Sequence, residues 1–224
     1  MDAATLALGF GKSALFVLAT MLPILNPPAT ATIFLGLTEG ASPETRALLA
    51  RRIARNVFLL LLGAMLVGSY VLELFGISLP IVRVGGGLIV AATAWRLLNA
   101  EPATRDRREA LADAFTPEQA RRQAFYPLTF PLTCGPGSIT AAITVGVTLP
   151  DPAWGLMLAR VGGGVAALVA IGAVIFVAFR YADRLLGLLG ETGTVVMLRL
   201  SAFILLCLGV QIVWDGLSEL IRSL

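Results

Sequence analysis

Apolar residues run through this chain in long blocks separated by short polar stretches, and block length sets the first reading. A helix needs roughly 20 apolar residues to cross the hydrocarbon core of a bilayer. Six blocks reach that scale: residues 6–25, continuing past a break to 37, then 57–75, 79–98, 125–149, 152–179 and 194–217. The second is entered through a turn carrying Arg51, Arg52 and Arg55, and the fourth is interrupted by prolines. Gly85-Gly86-Gly87 and Gly162-Gly163-Gly164, with Ala91 and Ala166 in step, read as close-packing helix faces. Trp95, Trp154 and Trp214 fall where aromatic rings anchor at the bilayer boundary, and Glu73 and Asp215 read as interfacial. One long polar stretch, 100–123, is too short and too poor in apolar residues to build a core. The expected organisation is therefore a three-helix transmembrane repeat over 1–99, a linker loop over 100–123, and a second three-helix repeat over 124–224.

Composition agrees. Hydrophobic residues make up 57% of the 224 and charged residues 14%, where a soluble domain carries about 25%. Too few charges remain to solvate the surface in water, so lipid must cover it. The fold class expected is all-α and polytopic, with the lipid bilayer as the chain's first partner. Of 17 basic residues all but Lys12 are Arg. With six spans, the first, third and fifth connections share one side. That side holds Arg46, Arg51, Arg52, Arg55, Arg96, five arginines of 100–123, Arg180 and Arg184, or 12 of the 17. The positive-inside rule makes it cytoplasmic and puts both termini on the extracytoplasmic side of a prokaryotic-type inner membrane. Basic residues at span ends do not form a nucleic-acid face, and no nucleic-acid partner is expected. The chain has no histidine and two cysteines, Cys134 and Cys207, which excludes a secreted disulfide framework. No catalytic pair is found, so neither an enzyme nor a cofactor or metal site is expected. The first ten residues carry Asp2 and no basic region, and are read as staying in the protein.

The prolines carry the functional signal. Pro23-Ile24-Leu25-Asn26-Pro27-Pro28-Ala29-Thr30 corresponds to Pro131-Leu132-Thr133-Cys134-Gly135-Pro136-Gly137-Ser138 at an offset of 108. Arg83, ahead of Val84-Gly85-Gly86-Gly87, corresponds to Arg199, ahead of Leu200-Ser201-Ala202-Phe203, at an offset of 116. Three spans per half make the second half enter the membrane from the opposite side, so the expected plan is two inverted repeats with broken helices one and four. Proline lacks an N–H and clashes with the carbonyl four residues back, so both motifs must interrupt their helices. Backbone unpaired in hydrocarbon survives only against protein or water. Two matched interruptions therefore point to one shared polar cavity. The half-helices that follow begin with free N–H groups, suited to a carboxylate. Asn26, Pro27, Pro28, Thr30, Thr129, Thr133, Cys134, Gly135, Gly137 and Ser138 form the expected substrate site, with Thr32 and Thr140 nearby. Arg83 and Arg199 either snorkel to the interface or neutralise a substrate carboxylate. No acidic residue lies near either break, which suits a small neutral or zwitterionic solute.

These motifs carry a resemblance. Asn26-Pro27-Pro28, then Ile33-Phe34-Leu35-Gly36-Leu37-Thr38, then Phe75-Gly76-Ile77-Ser78-Leu79-Pro80 running into Arg83-Val84-Gly85-Gly86-Gly87-Leu88-Ile89-Val90, and Cys134-Gly135-Pro136-Gly137-Ser138-Ile139 together resemble the MarC family of integral membrane proteins. The resemblance extends over nearly the whole chain. It implies six spans and, since some members are described as transporters of small neutral amino acids, an amino-acid transporter. The family's second motif commonly has a small residue or hydroxyl before Gly-Pro-Gly; Cys134 departs from that.

The resulting expectation is a transporter or exporter of small neutral solutes, foremost small amino acids, working by alternating access between the two breaks. Two alternatives stay open: a transmembrane thiol carrier using Cys134, for which Asn26 occupies the matching position in the first half, and a passive channel. A coupling ion is also open, because unwound carbonyls alone bind sodium. So is a homo-oligomer.

Overall fold

The computed structural model describes residues 2–38, 41–99 and 124–222, which excludes the expected linker 100–123. The described residues are helical and contain no strand. In chain order they form α1 (Ala3–Leu25), α2 (Pro27–Leu37), α3 (Pro43–Leu74), α4 (Leu79–Leu98), a wide π-type coil α5 (Ala124–Thr133), α6 (Pro136–Thr148), α7 (Trp154–Arg180) and α8 (Ala182–Arg222).

Local chemistry explains the boundaries. Ser42 caps α3 by accepting the Thr45 N–H at 3.2 Å, and Pro43 opens the helix where its missing N–H does no harm. Gly76 ends α3 at φ 66°, a left-handed turn that a side chain resists. In α5 the backbone is extended at Tyr126 (φ −118°, ψ 124°) and Phe130 (φ −116°, ψ 128°). Each precedes a proline, whose ring pushes its neighbour out of the helical region. The α8 coil is interrupted at Gly190 (φ 66°), leaving Val195–Arg222 as its membrane-length part.

Four stretches are long and apolar enough to cross a bilayer: Ala3–Leu35, Pro43–Leu74, Trp154–Arg180 and Val195–Arg222. The α5–α6 pair, bent by 70°, makes a fifth if it is one span. The sequence reading expected six. The remaining one, α4, has 20 residues but carries Arg83, Arg96 and three glycines, which dilute its apolar character. The two breaks also differ: the first interrupts a stretch that still runs as one span, while the second folds its segment sharply.

One continuous core joins α1, α2, α3, α5, α6 and α7 through residues such as Val17, Phe34, Ile53, Leu61, Leu128, Val145, Leu168 and Ile171. A smaller core of Val90, Ala94 and Leu205 sits between α4 and α8, which pack on each other more extensively than any other pair. Their contact depends on missing side chains. A Cβ on Gly87 would lie 2.8 Å from the Gly209 carbonyl oxygen, and one on Gly209 would lie 2.6 Å from the Ala91 nitrogen. Gly163 is equally tight against the Phe10 carbonyl of α1, whereas Gly85 faces open space. Close packing thus accounts for part of each glycine triplet.

Candidate functional site

The first break is built on Asn26. It holds φ 46° and ψ 62°, the left-handed region that asparagine tolerates better than other side chains. Its N–H donates to the Leu22 carbonyl at 3.0 Å, and its side-chain oxygen accepts the Ala29 N–H at 3.4 Å. Its own carbonyl accepts the Thr30 N–H at 3.0 Å and the Thr30 hydroxyl at 3.1 Å. Pro27 and Pro28 bring no N–H at all. Every donor in the first turn of α2 is therefore absent or occupied. The free N–H groups expected there do not exist, because the cap and the two prolines remove them.

The second break is different. Thr129, fully buried, donates to the Ala124 carbonyl at 2.6 Å, and Thr133 to the Leu128 carbonyl at 2.7 Å. The Cys134 N–H reaches back to the Thr129 carbonyl at 2.8 Å. Ser138 donates to the Gly135 carbonyl at 2.8 Å and stands 3.4 Å from the Cys134 sulfur. The N–H groups of Ser138 and Ile139 both take the Gly135 carbonyl. Among the described residues, no backbone acceptor takes the N–H of Gly135 or Gly137. The start of α6 thus keeps the open donors, and the partial positive charge, that α2 has lost.

The hydroxyls share one property. Thr30, Thr32, Thr129, Thr133, Ser138 and Thr140 each donate to a carbonyl three to five residues back in their own segment. A hydroxyl has one proton and two lone pairs, so with the proton engaged these side chains offer acceptors. Around the breaks the polar inventory is hydroxyl lone pairs, two backbone N–H groups and amides, and α1, α2, α5 and α6 contain no carboxylate.

One of those amides was not foreseen. Asn56 of α3 donates to the Thr129 hydroxyl at 3.3 Å, tying α3 to the second break. It is the lone amide in α3, the only mark it carries in the sequence. The two breaks face the same interior: Leu25 and Ala31 beside the first belong to one core with Leu128 and Cys134 beside the second. In addition α2 touches α5, and α1 touches α6. Pro28 is exposed and Pro27 buried. Gly137 is wedged against Val90 of α4, and Thr140 against Gly86.

The two arginines lie elsewhere. Arg83 is paired with Glu219 of α8. Since α4 and α8 run antiparallel, with Gly87 against Gly209 and Gly216 against Pro80, Arg199 falls toward the other end, where it is exposed. Neither is grouped with the breaks. Both cysteines are free; Cys134 is buried and Cys207 exposed on α8.

A second feature escaped the sequence reading. Arg46, at the start of α3, donates through Nε and Nη2 to the Thr38 carbonyl at 3.2 and 3.1 Å. Its Nη1 donates to Asp183 of α8 at 2.5 Å. One turn inward the rings of Phe34 (α2) and Phe179 (α7) stack with centroids 4.6 Å apart, both fully buried. Guanidinium and aromatic pair together bridge α2–α3 and α7–α8 at the Arg-rich end. The partners are 137 and 145 residues apart in sequence, beyond the reach of local pattern.

With this geometry in hand, comparisons with known proteins place the chain among relatives. A family model described as MarC family integral membrane protein matches residues 12–221. Inner membrane protein MarC of Salmonella typhi is 32% identical over 216 residues, covering 92% of this chain and 94% of the relative. The protein of that name in Citrobacter koseri is 31% identical with the same coverage. That of Escherichia coli is 32% identical over 212 residues, again covering 92% and 94%. No solved structure matches.

Proposed function

The chain belongs to the MarC family of integral membrane proteins, and from that premise we propose that it transports small neutral solutes, foremost small amino acids, across an inner membrane by alternating access. The observation that carries this reading is the short helix that follows each of the two interruptions. The 11 residues of α2 rise about 16 Å from Asn26 to the Arg46 clamp at Thr38, about half the thickness of a bilayer's hydrocarbon core. The 13 residues of α6 rise about 20 Å from the second break toward the Asp151–Arg160 pair at the opposite end. Each interruption thus leads into a helix of about half to two-thirds of a hydrocarbon core, and the two helices run to opposite ends of the molecule.

The packing supports two inverted halves. Exchanging α1–α4 with α5–α8 maps α1 on α7 to α5 on α3, α2 on α8 to α6 on α4, and α2 on α7 to α6 on α3. The pairs α4–α8 and α3–α7 map to themselves. Such halves can rock about a shared site. With Arg46 and the Phe34–Phe179 stack engaged, the Arg-rich end is shut. In this reading that end is cytoplasmic and both termini lie outside.

The site suits a zwitterion. A carboxylate matches the open Gly135 and Gly137 N–H groups and the dipole of α6. An ammonium needs acceptors, which the lone pairs of Thr30, Thr129 and Thr133 and the side-chain oxygen of Asn56 supply. The lack of a carboxylate disfavours a solute with net positive charge. Thr129→Val combined with Asn56→Leu removes both members of the hydrogen bond between α3 and the second break, at the cost of the hydroxyl donor to the Ala124 carbonyl, so its melting temperature is measured beside its uptake. Saturable uptake of labelled alanine into proteoliposomes is expected to fall at least tenfold in this variant. Unchanged uptake in the folded double variant, or no saturable uptake of any small neutral amino acid by the unsubstituted protein, rejects the reading.

A further inference from the structure

Helices α4 and α8 are held to the molecule differently from the rest. Among the described residues, none of α4 belongs to the larger core or packs on its edge. From α8 that core takes Ala182 alone, and Asp183 beside it is the residue that Arg46 holds. Both precede Gly190. Beyond Gly190, the Val195–Arg222 part of α8 shares the smaller core with α4, Leu205 against Val90 and Ala94. The Arg83–Glu219 pair joins the same two helices.

The glycines mark the same division. Within the α4–α8 pair they set backbone on backbone: Gly87 meets the Gly209 carbonyl, Gly209 the Ala91 nitrogen and Gly216 the Pro80 carbonyl. Among the other helices, Gly146 of α6 is seated against the Met65 carbonyl of α3, and Gly163 of α7 against the Phe10 carbonyl of α1. Between the two groups the nearest atoms are side chains instead. Gly86 of α4 meets Thr140 of α6, and Gly137 of α6 meets Val90 of α4. Interlocked backbones hold helices rigidly together, whereas side chains across a seam repack by changing rotamer, which lets packed helices slide. Each entry into the pair is a glycine in the left-handed region. Gly76 leads from α3 into α4 and Gly190 leads into Val195–Arg222, both at φ 66°. A Cβ on either would meet no atom within 4 Å. Glycine changes its dihedrals at little steric cost, and open surroundings leave room to turn.

We propose that α4 and Val195–Arg222 form one rigid body, hinged at Gly76 and Gly190, that slides against a frame of α1, α2, α3, α5, α6 and α7. The body combines the last helix of each half. It meets the frame mainly through α2, which touches α8, and α6, which touches α4. These are the helices that follow the two breaks, so displacing the body changes what lies against both. That consequence for a carried solute rests on the transport reading; the rigid body and its hinges do not.

Pulsed EPR distances in nanodiscs test this without a solute. In a Cys134→Ser, Cys207→Ser chain, spin labels go on exposed positions: Leu88→Cys on α4, Val210→Cys on α8, Leu59→Cys on α3 and Val169→Cys on α7. Gly86→Leu then drives a wedge into the seam at a residue whose nearest neighbour is Thr140 of α6. The distances from Leu59→Cys to both Leu88→Cys and Val210→Cys are expected to change by about 2 Å or more, while the two internal distances, α4 to α8 and α3 to α7, hold within about 1 Å. With Gly86 retained, so that the fold is not challenged, the seam-crossing distributions are expected to be about twice as wide as the internal ones, since a hinged body samples several positions. A wedge that moves α4 but not α8, a wedge that changes the α4–α8 distance, or seam-crossing distributions no wider than the internal ones overturns the proposal. Uptake is scored apart from this. The expected distances without saturable uptake would reject the transport reading and keep the rigid body, and saturable uptake across a fixed seam would do the reverse.

Discussion

Asn26 carries two duties that substitution can separate. Its backbone needs a left-handed conformation and its oxygen caps α2. Glycine adopts that conformation freely and loses only a few tenths of a kcal/mol as a cap. Asn26→Gly is therefore expected to melt within a few degrees of the unsubstituted protein. It nonetheless removes the side-chain amide at the break, and alanine uptake is expected to fall about tenfold, the loss of one hydrogen bond of about 1.4 kcal/mol. Equal melting and equal uptake would make Asn26 a structural cap and nothing more. At this scale the sequence was readable where proline chemistry is local. Asn26-Pro27-Pro28 could only be an interruption. It was not readable where two prolines and a cap leave α2 without donors, since that follows from how the asparagine side chain turns back on Ala29. Nor could Asn56 be paired with Thr129 across 73 positions.

Among elements, the contact of α4 with α8 is the tightest test of packing. Gly209→Val places atoms where the Ala91 backbone already stands, while Gly85→Ala enters open space. The first is expected to lower stability by about 1–3 kcal/mol, the range for overpacking, and the second to be neutral, both read as melting temperatures in detergent. Five of the six expected spans, counting the bent pair as one, were legible because lipid imposes length and composition; α4 is the one that falls short. The 70° bend of α5 into α6, against the single interrupted span Ala3–Leu35, was not, because matching motifs hide how each neighbourhood holds its proline. The clamp at the Arg-rich end belongs to this scale as well. Two of the three hydrogen bonds of Arg46 go to the carbonyl that ends α2, and Asp183 is well exposed, so the ion pair adds little to stability. Its loss acts on which conformation prevails. Phe179→Cys, buried beneath the clamp, is expected to react severalfold faster with a membrane-impermeant thiol reagent when Arg46→Gln is added. An unchanged rate would mean the clamp does not govern that entrance.

For the molecule as a whole, helices that cannot be continuous are kept in lipid by folding both interruptions into one core. Composition announced the membrane, and the arginine asymmetry gave the expected orientation. The proposed pairing of halves rests on three-dimensional contacts, since the two segments share little beyond their proline motifs. In the proposed mechanism the interruptions near Asn26 and Gly135 together bind one small zwitterionic solute. Its most direct test is the melting temperature of the purified protein across a panel of amino acids, because a ligand bound only by the folded state stabilises by mass action, about 2.7 kcal/mol at one hundred times its Kd. The expected result is a rise with small neutral amino acids that is lost both in Asn26→Gly and in the Thr129→Val, Asn56→Leu pair. No rise with any of them, or a rise that survives substitution at both breaks, contradicts the claim.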